Sequence, residues 1–445
     1  MDNSAVKYYF LGIGGIGMSS LAKYLFDKGH QVMGYDKTPS TITSMLAAAG
    51  ISILFEDKVA LIPEEFNNDN TQVIYTPAIP TDNLQFNHFI EQGYLIKKRA
   101  VLLGEITKES TVFAIAGTHG KTTTASFLSH LFEAAELKFT AFLGGVLNAE
   151  KSNLIQKGTE YTIVEADEYD RSFLQLFPDY GCITAMDSDH LDIYGDQAEM
   201  EKAYTEFSKK VTEKLVVAEG LPLDGLNYAV GTEVEYFASN IRKDSGGYYF
   251  DFNTPDQTFK EVYLNAIGKH NLSNALGAAA LMHAAGLNIE KALYGLAYFN
   301  GVNRRMEVFK LNEKTLIDDY AHHPEEIKAV FETVQSFFKG KTNKVIFQPH
   351  LYSRTKDFMD DFAKILSQFD QVVLMDIYPA RELPIPGITS QALLDKIDNP
   401  NKRLISEKNF ISTVEETGAD LIVILGAGDI GVKVQKLKNK VLNEI

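Results

Sequence analysis

The sequence has a single cysteine, Cys182, and no tryptophan among its 445 residues. One cysteine excludes an intrachain disulfide and a zinc site built from cysteine side chains. No stretch approaches the ~18 consecutive apolar residues of a membrane-spanning helix, and the start of the chain lacks a basic segment followed by an apolar core. With 45% hydrophobic and 23% charged residues, these absences predict a globular, cytoplasmic protein of enzyme size.

Basic residues are too few to balance the acidic ones: 43 lysines and arginines face 59 aspartates and glutamates, for a formal charge of −16. This charge argues against a sequence-independent nucleic-acid binder and against a protein that binds anionic membranes. An anionic substrate would therefore be attracted by local features such as glycine loops, helix N-termini or a metal ion.

Short β-branched or aromatic runs alternate with longer amphipathic segments, which is the pattern of βαβ units and parallel sheets. The fold class is therefore α/β, and we predict three modules: residues 1–104, 105–308 and 309–445. The first and third are expected to be Rossmann-like, and the second to resemble a phosphate-loop ATPase. Polar-interrupted strands around residues 215–263 predict an antiparallel excursion from the second module.

The first glycine loop lies between an apolar run and an expected helix. Gly12, Gly14 and Gly17 have the G-x-G-x-x-G spacing, in which tight turns let the backbone approach a diphosphate at the helix N-terminus. Asp36 follows the next expected strand, where such folds often place a ribose-binding acid. The loop predicts a bound dinucleotide or sugar nucleotide. A nicotinamide-dependent dehydrogenase and a turn without a ligand are the alternatives.

The same glycine spacing recurs near the end of the chain, at Gly426, Gly428 and Gly431. Only 14 residues follow Gly431, which is too few to complete a further βαβ unit. We expect these glycines to form a turn at the end of the last strand.

Residues 116–123, AGTHGKTT, follow an apolar strand and open a helix, which is the context of a phosphate-binding loop. Lys121 would reach the β- and γ-phosphates, and the Thr122 hydroxyl would ligate Mg²⁺. The usual first glycine of this motif is replaced by Ile115. We predict that ATP (or GTP) is bound by Gly117, Thr118, His119, Gly120, Lys121, Thr122 and Thr123.

Polar clusters follow several of the expected strands. Four carboxylates lie within residues 165–170, EADEYD, where an acid beside a phosphate loop can ligate Mg²⁺. His190 stands between Asp189 and Asp192, and a neighbouring carboxylate can orient an imidazole. Since neither H-E-x-x-H nor paired cysteines occur, hard-metal phosphate chemistry is favoured over a zinc site.

Ten segments, in this order, resemble the Mur ligase family of ATP-dependent amide-forming enzymes over nearly the whole chain. They are LGIGGIGMS, GTHGKTTT, EADEYDRSF, DHLDIYG, GKHNLSNAL, GVNRRMEV, DDYAHHP, QPHLYSRT, DIYPARE and LGAGDIG. The resemblance implies that ATP and Mg²⁺ activate the carboxylate of UDP-N-acetylmuramate as an acyl phosphate, which L-alanine attacks, in peptidoglycan precursor synthesis. It also implies no nucleic-acid or membrane partner and a monomer or homodimer.

The resemblance assigns ligands residue by residue. The UDP-sugar is expected at Gly12, Gly14, Gly15, Gly17, Asp36, Thr76, Pro77 and Ala78. The metal is expected at Thr122, Glu165 and His190. The adenine, ribose and phosphate contacts that complete the ATP site are expected at His270, Asn271, Asn274, Arg305 and Asp319. Tyr320, His322 and Arg354 would face the amino acid, and the catalytic set would be Lys121, Glu165, His190, His322 and Arg354.

Two positions depart from the family pattern. Leu351 stands where an arginine often follows the histidine of Q-P-H, and residues 204–207, YTEF, stand where several sister ligases carry a carbamylated lysine. The second departure predicts no carbamate and resembles the alanine-adding branch.

Three alternative functions stay open at this point. Within the family, a murein-tripeptide recycling ligase is the alternative, and folate polyglutamylation enzymes are neighbours. A dehydrogenase leaves the phosphate loop unexplained, whereas a nucleotide switch predicts hydrolysis that needs no sugar nucleotide. The sequence does not choose among L-alanine, glycine and L-serine.

Overall fold

The computed structural model describes residues 6–187, 194, 196–380 and 382–443. In these residues no helix has both the length and the apolar character needed to cross a membrane. The chain divides into two compact units, of which the first comprises Met1–Ile241, Phe250–Tyr263 and Asn274–Phe299, and the second comprises Arg242–Tyr249, Leu264–Ser273 and Asn300–Ile445. The module boundaries given above stay predictions.

The first sheet belongs to the first unit. Its strands are β1 Lys7–Leu11, β2 Val32–Tyr35, β3 Ser52–Leu54, β4 Thr71–Tyr75 and β5 Leu95–Lys98. They are all parallel, in the order β3-β2-β1-β4-β5. The helices beside them are α1 Ile16–Asp27, α2 Thr41–Ala48, α3 Leu84–Glu91 and α4 Arg99–Thr107. Tyr9 and Leu11 enter one core and Phe10 enters another, because successive side chains of a strand face opposite sides.

The second sheet carries the phosphate loop. Its strands are β6 Thr111–Ala116, β7 Phe139–Leu147, β8 Ser152–Gln156, β9 Tyr161–Glu165, β10 Tyr180–Ile183, β11 Lys214–Ala218, β12 Leu226–Val230, β13 Tyr236–Lys243, β14 Tyr248–Asn253 and β15 Thr258–Leu264. Their order is β15-β14-β13-β12-β11-β10-β6-β9-β7-β8. The helices of this region are α5 Lys121–Ala134, α6 Gln197–Ser208, α7 Lys269–Ala284 and α8 Glu290–Gly295. The ends of β6, β9 and β10 are therefore adjacent, as a phosphate site requires.

Two features of the second sheet differ from the sequence expectations. The predicted antiparallel excursion is wrong for its first strands, because β12 pairs in parallel with both β11 and β13. Strand β7, which was not expected from the sequence, pairs in parallel with β9 and antiparallel with β8. Two adjacent glycines, Gly144 and Gly145, weaken the strand signal there.

The third sheet belongs to the second unit. Its strands are β16 Glu307–Leu311, β17 Lys314–Asp319, β18 Asn343–Phe347, β19 Gln371–Leu374, β20 Lys402–Leu404 and β21 Leu421–Leu425. Their order is β16-β17-β21-β18-β19-β20, and only β16 is antiparallel to its neighbour among these pairs. The helices are α9 Pro324–Phe337, α10 Tyr352–Asp357, α11 Met359–Leu366, α12 Ser390–Lys396, α13 Phe410–Glu415 and α14 Ile430–Asn443. Separate cores cover the two faces of this sheet.

Candidate functional site

A glycine turn joins β6 to α5 in the first unit. Gly117 and Gly120 have φ angles of +139° and +83°, which glycine adopts without the steric penalty of a Cβ. A Cβ at Gly117 would lie 2.2 Å from Oγ1 of Thr184, and one at Gly120 would lie 2.5 Å from Oδ1 of Asn274. Glycine is therefore required at both positions by conformation and by close neighbours. Helix α5 begins directly after this turn, and its first amides have no intrahelical acceptor.

The Lys121 side chain is largely enclosed by this loop, with 13% of it exposed. Its Nζ lies 2.6 Å from the carbonyl oxygen of Gly117 and 2.7 Å from Oε2 of Glu168. Burial alone would lower the pKa of Lys121, but nearby carboxylates, Glu168 first among them, outweigh it and raise that pKa. Burial raises the pKa of Glu168 to about 7, although Lys121 opposes the shift. Lys121 is thus a positive charge held at the start of α5.

Thr122 and Glu165 form a pair of oxygen donors next to this lysine. Oγ1 of Thr122 donates to the two carboxylate oxygens of Glu165 at 3.0 and 2.9 Å. The amide of Gly144 donates to Oε2 of Glu165 at 2.8 Å, and a Cβ at Gly144 would lie 2.3 Å from that oxygen. Hydroxyl and carboxylate oxygens are ligands that Mg²⁺ prefers, so this pair fits the predicted metal site.

The third predicted metal ligand, His190, lies outside the described residues. Among those that are described, no group of three or more His, Cys, Asp or Glu side chains is arranged to hold a metal. A site built on Thr122 and Glu165 would therefore draw further ligands from phosphate oxygens and water, as Mg²⁺ sites in phosphoryl-transfer enzymes do.

The remaining side chains of the phosphate loop contact the segment that follows β10. Oγ1 of Thr118 accepts the amide of Asp187 at 3.0 Å, and the amide of Thr118 donates to the carbonyl of Ala185 at 3.1 Å. Nε2 of His119 lies 3.5 Å from Oδ2 of Asp187. Thr123 is buried within α5. These contacts fix the shape of the loop.

The first glycine loop joins β1 to α1. Gly12 has a φ of +82°, and a Cβ there would lie 2.9 Å from Cγ2 of Thr76. The Asp36 carboxylate accepts the amide of Gly14 at 2.8 Å and that of Thr38 at 3.0 Å. The structure thus brings Gly12, Gly14, Asp36 and Thr76 together, with Asp36 bonded to the loop backbone.

The other predicted sugar-nucleotide residues lie close by in the chain. Gly15 is the residue before α1, and this helix has no side-chain cap and no acid in its first turn. Pro77 and Ala78 are exposed after β4. Gly17 packs against Arg99, because a Cβ at Gly17 would lie 2.7 Å from Nη1 of Arg99.

Sequence reasoning missed Arg99 and did not single out Glu168. Arg99 opens α4, and its Nη2 lies 3.3 Å from Oδ2 of Asp167. The available signal was a run of three basic residues, Lys97 to Arg99, directly before an apolar helix. Glu168 was visible only as one member of the acidic run, because its partner Lys121 is 47 residues away.

The adenine- and ribose-side predictions fall in different units. Asn274 lies beside Gly120 in the first unit, whereas His270 and Asn271 belong to the second. Burial lowers the pKa of His270 to about 4, so its imidazole is neutral near pH 7. Nδ2 of Asn271 donates to the carbonyl of Ile267 at 2.7 Å.

Asp319 ends β17 and is buried. Its Oδ2 accepts the amide of Met306 at 2.6 Å, and its Oδ1 accepts the amide of Ala321 at 2.7 Å. Burial raises the pKa of Asp319 to about 6, although Arg305 opposes the shift. The guanidinium of Arg305 lies 4.9 Å from the ring centroid of Tyr320. Asp319 therefore ties the backbone just before β16 to the backbone just after β17.

The predicted amino-acid residues form a cluster in the second unit. Nδ1 of His322 lies 3.0 Å from the carbonyl oxygen of Tyr320, and the His322 and His350 rings are 5.8 Å apart. Nη1 of Arg354 lies 3.4 Å from Nδ1 of His350. Leu351 has a φ of +71°, which is an outlier for a bulky residue. Its departure from the family pattern therefore falls where the backbone turns sharply into α10.

The third glycine loop joins β21 to α14, which confirms the predicted turn at the end of the last strand. A Cβ at Gly428 would lie 2.6 Å from Oε1 of Gln348, and one at Gly431 would lie 2.4 Å from Nη1 of Arg304. Protein side chains thus occupy the space beside this helix start.

Three family profiles match the chain in succession. They are the Mur ligase family, catalytic domain, over residues 7–111; the Mur ligase middle domain over residues 115–282; and the Mur ligase, glutamate ligase domain over residues 304–432. The UDP-N-acetylmuramate–L-alanine ligase of Flavobacterium johnsoniae is 48% identical over 445 residues, covering 99% of each chain. The enzyme of the same name from Flavobacterium psychrophilum is 49% identical over 442 residues, covering 98% of each chain.

Solved structures agree with these matches. The UDP-N-acetylmuramate-alanine ligase of Thermotoga maritima superposes with a TM-score of 0.84 at 27% identity, covering 99% of this chain and 100% of that one. A murein peptide ligase from Psychrobacter arcticus superposes with a TM-score of 0.73 at 22% identity, covering 98% of each chain. The second likeness is one of fold alone.

Proposed function

The chain belongs to the Mur ligase family, as its ten segments predicted, and from this membership we propose that it joins L-alanine to the carboxylate of UDP-N-acetylmuramate at the expense of ATP. The product would be a precursor of peptidoglycan. The relatives that carry this activity in their names match at 48–49% identity along the full chain.

One structural observation supports the ligase chemistry most directly. Lys121, which is charged, opens α5 and lies 2.7 Å from Glu168. The next residue, Thr122, donates to Glu165 at 2.9–3.0 Å, so a cation and a pair of oxygen donors stand side by side. Phosphoryl transfer depends on positioning and on positive charge at the transferring group. A nucleotide switch would need the same loop, but it offers no reason for the sugar-nucleotide turn in the same unit.

The first step would bring two anions together. A carboxylate oxygen of the sugar attacks the γ-phosphorus of ATP, the bond to the β–γ bridging oxygen breaks, and ADP leaves. Lys121 and the first amides of α5 would stabilise the charge on the transferring phosphoryl group. Mg²⁺, held by Thr122 and Glu165, would neutralise phosphate charge when bound.

The second step would consume the acyl phosphate. The neutral amine of L-alanine attacks the acyl carbon, and inorganic phosphate leaves the tetrahedral intermediate. His322 and Arg354 are the residues proposed to face the amino acid, with Arg354 suited to its carboxylate. His270, Asn271, Asn274, Arg305 and Asp319 are proposed to position the nucleotide. We also propose a cytoplasmic location, where ATP is supplied, and a monomer or homodimer.

The test is phosphate release from ATP in the presence of UDP-N-acetylmuramate and different amines. L-alanine, glycine, L-serine and the murein tripeptide should be compared at equal concentration. We expect L-alanine to give the highest kcat/KM. Faster turnover with the tripeptide would instead identify a recycling ligase, and phosphate release without any sugar nucleotide would favour a nucleotide switch.

A further inference from the structure

One loop in the first unit pairs with two cations that lie beside two different glycine turns. This acidic loop, residues 166–171, follows β9 and continues into the short 3-10 helix Tyr169–Gln175. Asp167 pairs with Arg99 at 3.3 Å, and its neighbour Glu168 pairs with Lys121 at 2.7 Å. Adjacent carboxylates therefore face the first glycine loop and the phosphate loop.

Arg99 is placed to bind an anion at the first glycine loop. Its side chain is 18% exposed, and its Nη1 and Cζ would lie 2.7 and 3.2 Å from a Cβ at Gly17. Its Nη2 donates to Asp167. Within the part of the chain that the structure describes, the guanidinium makes this one hydrogen bond. Nη1 therefore remains available at the start of α1, where the amides carry no side-chain cap.

The acidic loop is held in a strained conformation. Asp170 and Arg171 both have a φ of 53°, a left-handed region that costs non-glycine residues about 1–2 kcal/mol each. Oδ1 of Asp167 accepts the amide of Tyr169 at 3.1 Å, which holds the Asp167 carboxylate within the loop. Asp170 pairs with Lys98 at 2.6 Å at the surface, where an ion pair contributes little to stability.

We propose that Arg99 is a ligand of the diphosphate at the first glycine loop, and that Asp167 and Glu168 are resting counter-ions that couple this site to the phosphate loop. A diphosphate draws Arg99 away from Asp167, and a triphosphate draws Lys121 away from Glu168. Each ligand thereby frees one carboxylate of the acidic loop from its cation. The loop then holds the second cation less firmly, so the second ligand binds more tightly. This positioning role rests on the proposed function, because it takes the two anions to be a sugar nucleotide and ATP.

Binding measurements test the proposal without turnover. Affinities for UDP-N-acetylmuramate and for a non-hydrolysable ATP analogue are measured by calorimetry, each alone and with the other ligand saturating. In the unmodified protein we expect each ligand to tighten the other by about 5-fold or more. Arg99→Gln should weaken the sugar nucleotide by about 10-fold or more, while the ATP analogue alone binds as before. Arg99→Lys, which keeps the charge, should restore part of the loss.

The counter-ion role has its own variants. Asp167→Asn should tighten the sugar nucleotide alone and reduce the coupling below about 2-fold, because Arg99 is released in advance. Asp170→Asn is the matched control in the same loop, since it removes the Lys98 pair and leaves Arg99–Asp167 in place. Its affinities should match those of the unmodified protein.

Two results would overturn the proposal: Arg99→Gln with unchanged sugar-nucleotide affinity, or Asp167→Asn with the coupling of the Asp170→Asn control. Circular dichroism and melting curves identify any variant that fails to fold, and Arg99→Lys then carries the same comparison. If the unmodified protein binds both ligands cooperatively but forms no alanyl product, the proposed function fails and the counter-ion role stands.

Discussion

Two lysines of this protein lie in the first turn of helices that follow glycine turns. Lys121 opens α5 after the phosphate loop, and Lys433 lies in the first turn of α14 after the third glycine loop. Both side chains are largely buried, at 13% and 10% exposure. Both are also paired with carboxylates: Lys121 with Glu168 at 2.7 Å, and Lys433 with Glu407 and Asp429 at 2.7 and 2.8 Å. Only the first is proposed to bind phosphate.

The surroundings of the two lysines explain the difference. Next to Lys121, the Thr122 hydroxyl and the Glu165 carboxylate supply hard oxygen donors. Next to Lys433, the chain has Val434, and Gln348 binds both the amide of Ile430 and the carboxylate of Asp429. A glycine turn followed by an enclosed lysine is therefore not sufficient for a phosphate site. The hydroxyl and carboxylate oxygens beside the lysine determine whether the helix start can support phosphate chemistry.

Removing each lysine gives the largest contrast. Lys121→Ala should lower kcat for phosphate release by about 10²–10³-fold, because a preorganised positive charge at the transferring group is lost. Lys433→Ala should leave kcat within about 2-fold and lower the melting temperature. Both are measured with ATP, UDP-N-acetylmuramate and L-alanine, alongside circular dichroism. Equal kcat losses in the two variants would remove the distinction between the loops.

The Thr122–Glu165 pair offers a second contrast, of smaller size. Glu165→Gln should reduce kcat by about 10–100-fold and raise the Mg²⁺ concentration for half-maximal rate, because a neutral amide binds the ion more weakly. Glu407→Gln, which alters the carboxylate beside Lys433, is the matched control and should leave the Mg²⁺ dependence unchanged. An unaltered Mg²⁺ titration for Glu165→Gln would exclude this carboxylate as a ligand.

The sequence predicted the phosphate loop well because its information is local. Gly117, Gly120, Lys121 and Thr122 lie within six residues, directly between an apolar strand and a helix. Pairings across the chain carry no such signal: Gly144 meets Glu165 across 21 residues, and Lys121 meets Glu168 across 47. Tertiary packing alone determines that a glycine is needed at Gly144 in β7. It also determines which of the four acids in residues 165–170 faces Thr122 and which faces Lys121.

The first glycine loop shows a related limit. Its spacing predicted the turn, and the structure confirms the strand and helix on either side of it. Asp36 was expected from its position to contact a ribose, and in the structure its carboxylate accepts the amide of Gly14. Arg99, which faces Gly17, lies 82 positions further along the chain, so the G-x-G-x-x-G motif gives no hint of it. Motif spacing thus predicts backbone shape better than it predicts side-chain partners.

Asp319 lies next to the third glycine loop, and its raised pKa should make the free energy of unfolding depend on pH. Its pKa is raised from 3.8 to about 6, so the folded state binds this proton more tightly than the unfolded state. The resulting stabilisation is full below about pH 4 and is lost as pH rises through about 6, by up to about 3 kcal/mol. Subtracting the pH profile of Asp319→Asn from that of the unmodified protein, in urea unfolding, should give this slope. A flat difference between pH 4 and 6 would show that Asp319 keeps an ordinary pKa.

The smallest effect comes from adding a methyl group to one glycine of each loop. In Gly120→Ala the Cβ would lie 2.5 Å from Oδ1 of Asn274, and in Gly431→Ala it would lie 2.4 Å from the Arg304 guanidinium. Gly120 also has a φ of +83°, so its replacement adds about 1–2 kcal/mol of backbone strain. Both variants should unfold at lower denaturant concentration. Only Gly120→Ala should also raise the dissociation constant of an ATP analogue, by about 5–10-fold, because the alanine displaces the phosphate loop, whereas Gly431→Ala disturbs packing alone. If the two substitutions weakened nucleotide binding equally, the third loop would have to be counted among the nucleotide contacts.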